Sequence, residues 1–283
     1  MELEPNDEDA SRSPGDVAAL RWWRDAGVDI ALRDAPISRF DNAAAETPAI
    51  GAPAVARRPA EPAPAAPPRP MGDASAFQAA DAATELALAS ETLEALRANL
   101  ERFEGCALKK TASRLVFSDG SPGSRIMLVG EAPGAEEDRT GKPFVGRAGQ
   151  LLDRMLHAIG LARSDVYIAN VVPWRPPGNR TPTPQETQIC LPFIRRQIAL
   201  SGPEILVCLG SSATQTLLGV REGITRVRGR WFDYPLDDGR KLRALATLHP
   251  AYLLRQPLQK RNAWVDLRML AAELRAERKD RIP

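Results

Sequence analysis

Short apolar runs alternate with helical segments along the second half of the chain. The runs at 115–117, 126–129, 166–169, 205–209 and 242–248 are typical of buried strands. Helices are predicted near 147–159, 184–200, 211–218 and 261–278. This alternation predicts an α/β domain with a parallel sheet and helices on both faces. Residues 225–234, where arginines alternate with Val, Gly and Trp, are predicted to form a half-exposed, hairpin-like piece with one cationic face.

The first third of the chain has a different pattern. Residues 1–34 are predicted to be an acidic tail with a short helix at 17–32 that carries a tryptophan pair. This helix either docks a partner protein or folds back on the main domain. Residues 35–72 are predicted to be a disordered linker, because Ala and Pro dominate there. The globular domain is expected at 73–283 and opens with an Ala-, Leu- and Glu-rich helix at 76–103.

The charge is divided unevenly along the chain. The net charge of +2 is the sum of −9 over residues 1–104 (10 Lys+Arg, 19 Asp+Glu) and +11 over residues 105–283 (28 Lys+Arg, 17 Asp+Glu). A basic domain suits a polyanionic partner, because neutralised phosphates release counterions. The chain has no apolar run of 18 residues and an acidic amino-terminus, so we expect a cytoplasmic protein with no membrane partner. Its three widely spaced cysteines predict no disulfide framework.

Polar side chains stand at the ends of three predicted strands. The strand at 126–129 runs into a Gly-rich loop that carries Glu131 and Glu137. Asn170 follows the strand at 166–169, and His249 follows the strand at 242–248. Ligands of open α/β sheets bind where the carboxyl ends of strands and the amino-termini of helices converge. These residues therefore predict a binding site at one edge of the sheet.

Three segments resemble uracil-DNA glycosylases of the family-four type. They read GEAPG…ED from Gly130, NVVPWRPPGNRTPTPQE from Asn170, and HPAYLLR from His249, and the likeness covers about 103–274. The resemblance implies a three-layer α/β/α domain around a central, mostly parallel, four-stranded sheet. It also implies a monofunctional glycosylase that hydrolyses the bond between uracil and deoxyribose in single- or double-stranded DNA and leaves an abasic site. The alternatives are a non-catalytic uracil-DNA or nucleotide-binding module, or a repair adaptor that uses residues 17–32.

The resemblance also implies roles for the strand-end residues. His249 would stabilise negative charge on the departing uracil, and Asn170 would read the base, because an amide both donates and accepts. Phe144 would stack on the extruded base. Glu131, Ala132 and Pro133 would line the pocket. The carboxylate that orients the water is either Glu131 or Glu137, because Ala132 stands where family-one relatives carry aspartate.

DNA contacts are expected from two further places. Leu253 or Leu254, next to Arg255, would fill the gap left by the extruded base. Arg175 and Arg180, in the RPPGNR segment, are further DNA-binding candidates.

The likeness is incomplete at the metal site. Family-four enzymes usually hold a four-iron, four-sulfur cluster on four cysteines. Here Cys106 and Cys190 remain, whereas Phe103 and Trp174 occupy the other two ligand positions. Neither aromatic side chain can coordinate iron. We therefore expect no metal cofactor, and we expect the two aromatic side chains to fill the space of the cluster.

Overall fold

The computed structural model describes residues 73–279. The predictions for the acidic tail at 1–34, its Trp-bearing helix and the linker at 35–72 lie outside the described residues. Residues 73–279 fall within one compact unit, and the domain boundary at residue 73 stays a prediction.

Six strands form one mixed sheet. They are β1 (Asp119–Gly120), β2 (Ile126–Gly130), β3 (Val166–Asn170), β4 (Ile205–Leu209), β5 (Trp231–Pro235) and β6 (Lys241–Thr247). Their order is β1-β3-β2-β4-β6-β5. The four central strands are parallel, and β1 and β5 pair antiparallel at the edges. The α/β prediction is confirmed, but the sheet has six strands rather than four because each edge gains an antiparallel strand.

Two local predictions were wrong. Residues 115–117 form no strand, since Val116 donates its N–H to the carbonyl of Pro173 at 2.9 Å in a loop, and the edge strand follows at Asp119. The segment 225–234 is a helical turn followed by β5. Its arginines do not share one exposed face, because Arg228 points inward and pairs with the fully buried Asp266.

Nine α-helices surround the sheet within the described part of the chain. They are α1 (Asp73–Leu88), α2 (Leu93–Arg102), α3 (Ala135–Thr140), α4 (Arg147–His157), α5 (Pro184–Ser201), α6 (Ser211–Leu218), α7 (Ile224–Val227), α8 (Pro250–Arg255) and α9 (Lys260–Lys279). The single helix predicted at 76–103 is two helices. Thr92 starts the second one by accepting the N–H of Ala95 at 3.1 Å. None of these helices is long and apolar enough to cross a membrane.

The two faces of the sheet build separate cores. On β2, Met127 and Val129 pack with side chains of α1, α2, α5 and α6, whereas Ile126 and Leu128 pack with α4 and α9 on the other face. Neighbouring residues of a strand point to opposite faces, so each strand serves both cores. The result is the three-layer α/β/α arrangement predicted from the sequence. It brings the carboxyl ends of the four parallel strands to one edge.

Candidate active site

A cleft of about 1020 Å³ opens at the carboxyl ends of β2, β3, β4 and β6. Most of the residues expected at the site line it: Glu131, Ala132, Pro133, Glu137, Phe144, Asn170, Arg180, His249 and Arg255. Three expected residues, Arg175, Leu253 and Leu254, do not line the cleft. The parallel sheet therefore unites residues that are more than 100 positions apart in sequence.

Asn170 lies at the bottom of the cleft with an unused acceptor. Its register partner is Gly130, where an added Cβ atom would come within 2.5 Å of both the Asn170 Oδ1 and the Phe144 ring. Only glycine fits between these groups. Asn170 is 4% exposed, and its Oδ1 has no hydrogen-bond partner among the described residues. A buried acceptor without a partner costs about 1–3 kcal/mol, so an N–H donor from a ligand would be favourable here.

A strained loop presents Phe144. Its φ of 53° lies in the left-handed region, which is uncommon for a residue other than glycine. The Glu137 carboxylate holds this loop by accepting backbone N–H groups from Val145 at 3.0 Å, Gly146 at 2.9 Å and Gly134 at 3.1 Å. Arg163 binds the carbonyl of Pro143 at 2.6 Å. The aromatic ring is therefore fixed before any ligand binds.

His249 faces the Phe144 ring, with a centroid distance of 5.5 Å. Its Nδ1 accepts the backbone N–H of Ala251 at 3.1 Å and caps α8. Burial lowers the pKa of His249 to about 4, and the charge of Arg255 acts in the same direction. The imidazole is therefore neutral near pH 7. Because Nδ1 is the acceptor, the proton is on Nε2, which can donate to a ligand.

Glu131 and Glu137 have different surroundings. Glu137 is 9% exposed, and both of its oxygens accept backbone N–H groups. The Glu131 Oε1 is buried and has no hydrogen-bond partner among residues 73–279. Burial raises the pKa of Glu131, although a hydrogen bond to Thr181 opposes this shift. Glu131 thus has the acceptor oxygen that a water molecule or substrate could use.

Two of the three arginines expected to bind DNA have side-chain partners among the described residues, and the third forms no salt bridge with them. Arg180 pairs with Glu186 at 2.7 Å, and the Arg175 Nε donates to the Asn179 Oδ1 at 2.7 Å. Arg255 is exposed and forms no salt bridge with a described residue.

The two leucines next to Arg255 both pack on a core cluster. Leu253 is 1% exposed in a third core cluster, and Leu254 is half-buried against the same cluster. Leu253 therefore has no free surface for insertion.

The four positions of the expected cluster do not suit iron. The sulfur atoms of Cys106 and Cys190 lie 4.0 Å apart, but Phe103 and Trp174 offer no ligand atom. Both aromatic side chains are buried in the same core as the cysteines, at 5% and 2% exposure. The Phe103 ring lies so close to Gly105 that a Cβ atom there would come within 2.4 Å of it. Residues 73–279 contain no group of three or more His, Cys, Asp or Glu side chains that could hold a metal.

Several residues of the cleft were missed by sequence reasoning. Ser211 and Ser212 line it directly after β4. The signal was available, since GSS follows the apolar run at 205–209 in the same way that polar residues follow the other strands. Thr181, which also lines the cleft, gave no such signal, and neither did Arg163, which lies outside the cleft. Their contacts with Glu131 and Pro143 arise only in the folded chain.

Comparison with known proteins gives a consistent result. The family model described as the uracil DNA glycosylase superfamily matches residues 117–269. A Type-4 uracil-DNA glycosylase of Thermotoga maritima is 43% identical over 58% of this chain and 84% of the relative. The Type-4 enzyme of Archaeoglobus fulgidus is 40% identical over 59% of this chain and 85% of the relative. That of Pyrobaculum aerophilum is 39% identical over 62% of this chain and 92% of the relative.

Proposed function

The chain belongs to the uracil-DNA glycosylase superfamily, and from that premise we propose that it removes uracil from DNA for base excision repair. The reaction is hydrolysis of the N-glycosidic bond, which leaves an abasic site. One observation carries the proposal: the unused Asn170 Oδ1, the Phe144 ring and the neutral His249 line one cleft. An acceptor, a stacking surface and a donor are the groups that a flat base with an N–H beside a carbonyl requires.

Recognition depends on Asn170 and Phe144. The Asn170 Oδ1 accepts the base N–H, and its amide nitrogen donates to the adjacent carbonyl. The Phe144 ring stacks on the base, a contact worth about 1–3 kcal/mol in proteins that bind single strands. Backbone groups of Glu131, Ala132 and Pro133 complete the wall of the pocket.

Bond cleavage separates charge, and the site has a group for each end. The bond between the anomeric carbon and the base nitrogen breaks, and its electron pair leaves with uracil. His249 donates from Nε2 to the uracil oxygen on which negative charge develops. The Glu131 carboxylate offsets positive charge on the sugar, orients the attacking water and takes its proton as the water oxygen bonds to the anomeric carbon. Glu137 acts through the loop that carries Phe144.

Binding to DNA uses the basic surface around the cleft. Arg255 and the loop with Arg175 and Arg180 contact phosphates. We also propose that residues 17–32 dock a repair protein, on the basis of their tryptophan pair. We also propose action in the cytoplasm, because DNA is the substrate and three widely spaced cysteines predict no disulfide framework.

We further propose that the enzyme works without an iron–sulfur cluster. The support is that two of the four cluster positions are buried aromatic side chains, so the fold fills that space by packing. Two thiols do not hold such a cluster stably.

The test is abasic-site formation on a single-stranded oligonucleotide with one uracil, detected as alkali-labile cleavage. His249→Ala should lower the single-turnover rate by about 10²–10³-fold with DNA affinity retained. His157→Ala is the matched control, because His157 is exposed at the end of α4 and does not line the cleft. Uracil-DNA binding without cleavage by the wild-type protein would favour the binding-module alternative.

A further inference from the structure

Leu258 is the most exposed of the large hydrophobic side chains among the residues whose exposure is described. It is 87% exposed, compared with 70% for Phe77 and 61% for Leu88. A single exposed leucine needs no explanation by itself. Leu258 differs from the other exposed leucine because it lies three residues after the cleft-lining Arg255 and between cations.

Chain connectivity keeps Leu258 close to the residues that line the cleft. β6 ends at Thr247, and α8 then lies along the edge of the sheet, lining the cleft with Ala251, Tyr252 and Arg255. A single residue, Gln256, separates α8 from the 3-10 turn Pro257–Gln259 that carries Leu258. α9 then leads the chain away. Leu258 therefore follows, after three residues, the cleft-lining Arg255 at the end of the helix that begins beside His249.

Hydrogen bonds of neighbouring residues hold the turn that carries Leu258. The Gln256 N–H bonds to the Tyr252 carbonyl at 2.8 Å, and the Gln259 N–H bonds to the Gln256 carbonyl at 3.0 Å. The Asn262 side chain donates to the Gln259 Oε1 at 2.7 Å. Pro257 further restricts the backbone. A rigid apolar projection loses little conformational entropy when it enters a binding partner.

Positive charge flanks the projection. Arg255 precedes Leu258, and Lys260 and Arg261 follow it. All three are exposed, and none forms a salt bridge within the described part of the chain. Cations on both sides of an apolar tip complement a base step between two phosphodiester strands.

We infer that Leu258 is the side chain that enters the duplex and occupies the gap left by the extruded uracil. This role rests on the proposed glycosylase function. It replaces the expectation for Leu253, which is buried in the core, and it leaves Leu254 as a packing residue. Leu258 is a positioning residue, since it acts by holding the extruded base in the cleft and makes no contact with the reacting bond.

The test compares one variant on three substrates. Leu258→Ala should lower the single-turnover rate about tenfold on a duplex with a U·A pair, because unstacking a paired base costs a few kcal/mol. The loss should be smaller on a U·G mismatch, where the base is easier to extrude, and less than about twofold on a single strand, which needs no wedge. Leu258→Met should retain most of the duplex activity. Leu88→Ala is the matched control on an exposed leucine of α1.

Two results would overturn the inference: an unchanged U·A rate in Leu258→Ala, or an equal loss on all three substrates. An unchanged thermal midpoint of unfolding excludes a folding defect. A wild-type protein that cleaves none of the three substrates would instead contradict the proposed function, so the two failures are distinguishable.

Discussion

Replacing Glu131 and Glu137 separately by glutamine tests which of them stabilises the site and which takes part in cleavage. Glu131→Gln and Glu137→Gln remove the same charge with almost no change of shape. In the structure, Glu137 accepts three backbone N–H groups, whereas the Glu131 Oε1 accepts none. We therefore expect Glu137→Gln to lower the free energy of unfolding and Glu131→Gln to lower the rate of cleavage.

The magnitude for Glu137 follows from its contacts. A glutamine can keep its oxygen towards Val145 and Gly146, but its amide group then faces the N–H of Gly134, donor against donor. That leaves one partly buried N–H unpaired, at about 1–3 kcal/mol, and weakens two bonds to a carboxylate acceptor. We expect a loss of about 2–4 kcal/mol, which is a large share of the usual 5–15 kcal/mol of a domain.

For Glu131→Gln we expect a small effect on stability and a large effect on the rate of cleavage. Burial raises the pKa of Glu131, so its ionised form is disfavoured in the folded state. A carboxyl group whose pKa is raised by folding lowers the free energy of unfolding once the pH rises above its unfolded pKa. Glutamine cannot ionise, so this loss of stability is absent in Glu131→Gln. Glu131→Gln should therefore unfold at the same or a higher denaturant concentration. Its single-turnover rate should fall by about 10²–10⁴-fold, the usual share of a group that moves a proton.

Urea unfolding and single-turnover cleavage of a uracil oligonucleotide measure the two effects. Glu136→Gln is the control, since Glu136 forms only an exposed ion pair with Arg139 on the same helix and should change stability by less than about 1 kcal/mol. The reasoning is refuted if Glu137→Gln stays as stable as the wild type, or if Glu131→Gln cleaves normally.

Other consequences can be measured separately. NMR should show that His249, one of two histidines in the chain, stays neutral from pH 8 to about 5. Because the pKa of His249 is lowered to about 4 in the fold, the free energy of unfolding should fall as the pH drops from about 6.5 towards 4. An NMR titration of His249 with a midpoint above pH 6 would contradict this. Asn170→Ala should depress cleavage far more than DNA binding, and equal losses would argue against base recognition. The logarithm of the DNA-binding constant should fall linearly with the logarithm of salt concentration, and deletion of residues 1–72 should leave cleavage largely intact; a folded but inactive truncation would refute the domain boundary. Protein purified without oxygen should lack the absorbance of an iron–sulfur cluster, whereas stoichiometric iron would show that Cys106 and Cys190 are ligands after all.

The sequence by itself determined the four parallel strands of the sheet and the edge where the cleft forms. The runs at 126–129, 166–169 and 205–209 are apolar on both faces because these parallel strands are buried on both sides, and this signal is local. The run at 242–248 is apolar except for Arg243 and Thr247. The polar residue after each run then had to lie at the carboxyl edge. The position of His249 and Asn170 in one cleft follows from this rule, without any knowledge of the loops.

Tertiary structure decided the questions that depend on contacts between distant residues. Glu131 and Glu137 are equivalent acids in a Gly-rich loop until the chain folds, when backbone N–H groups at Val145 and Gly146 surround one of them. Leu253 and Leu258 are likewise two leucines in one polar segment. A helical turn against a third core buries the first, and a braced 3-10 turn exposes the second. Burial and hydrogen bonding depend on what the rest of the chain brings alongside, and neither property is encoded within a short window of sequence.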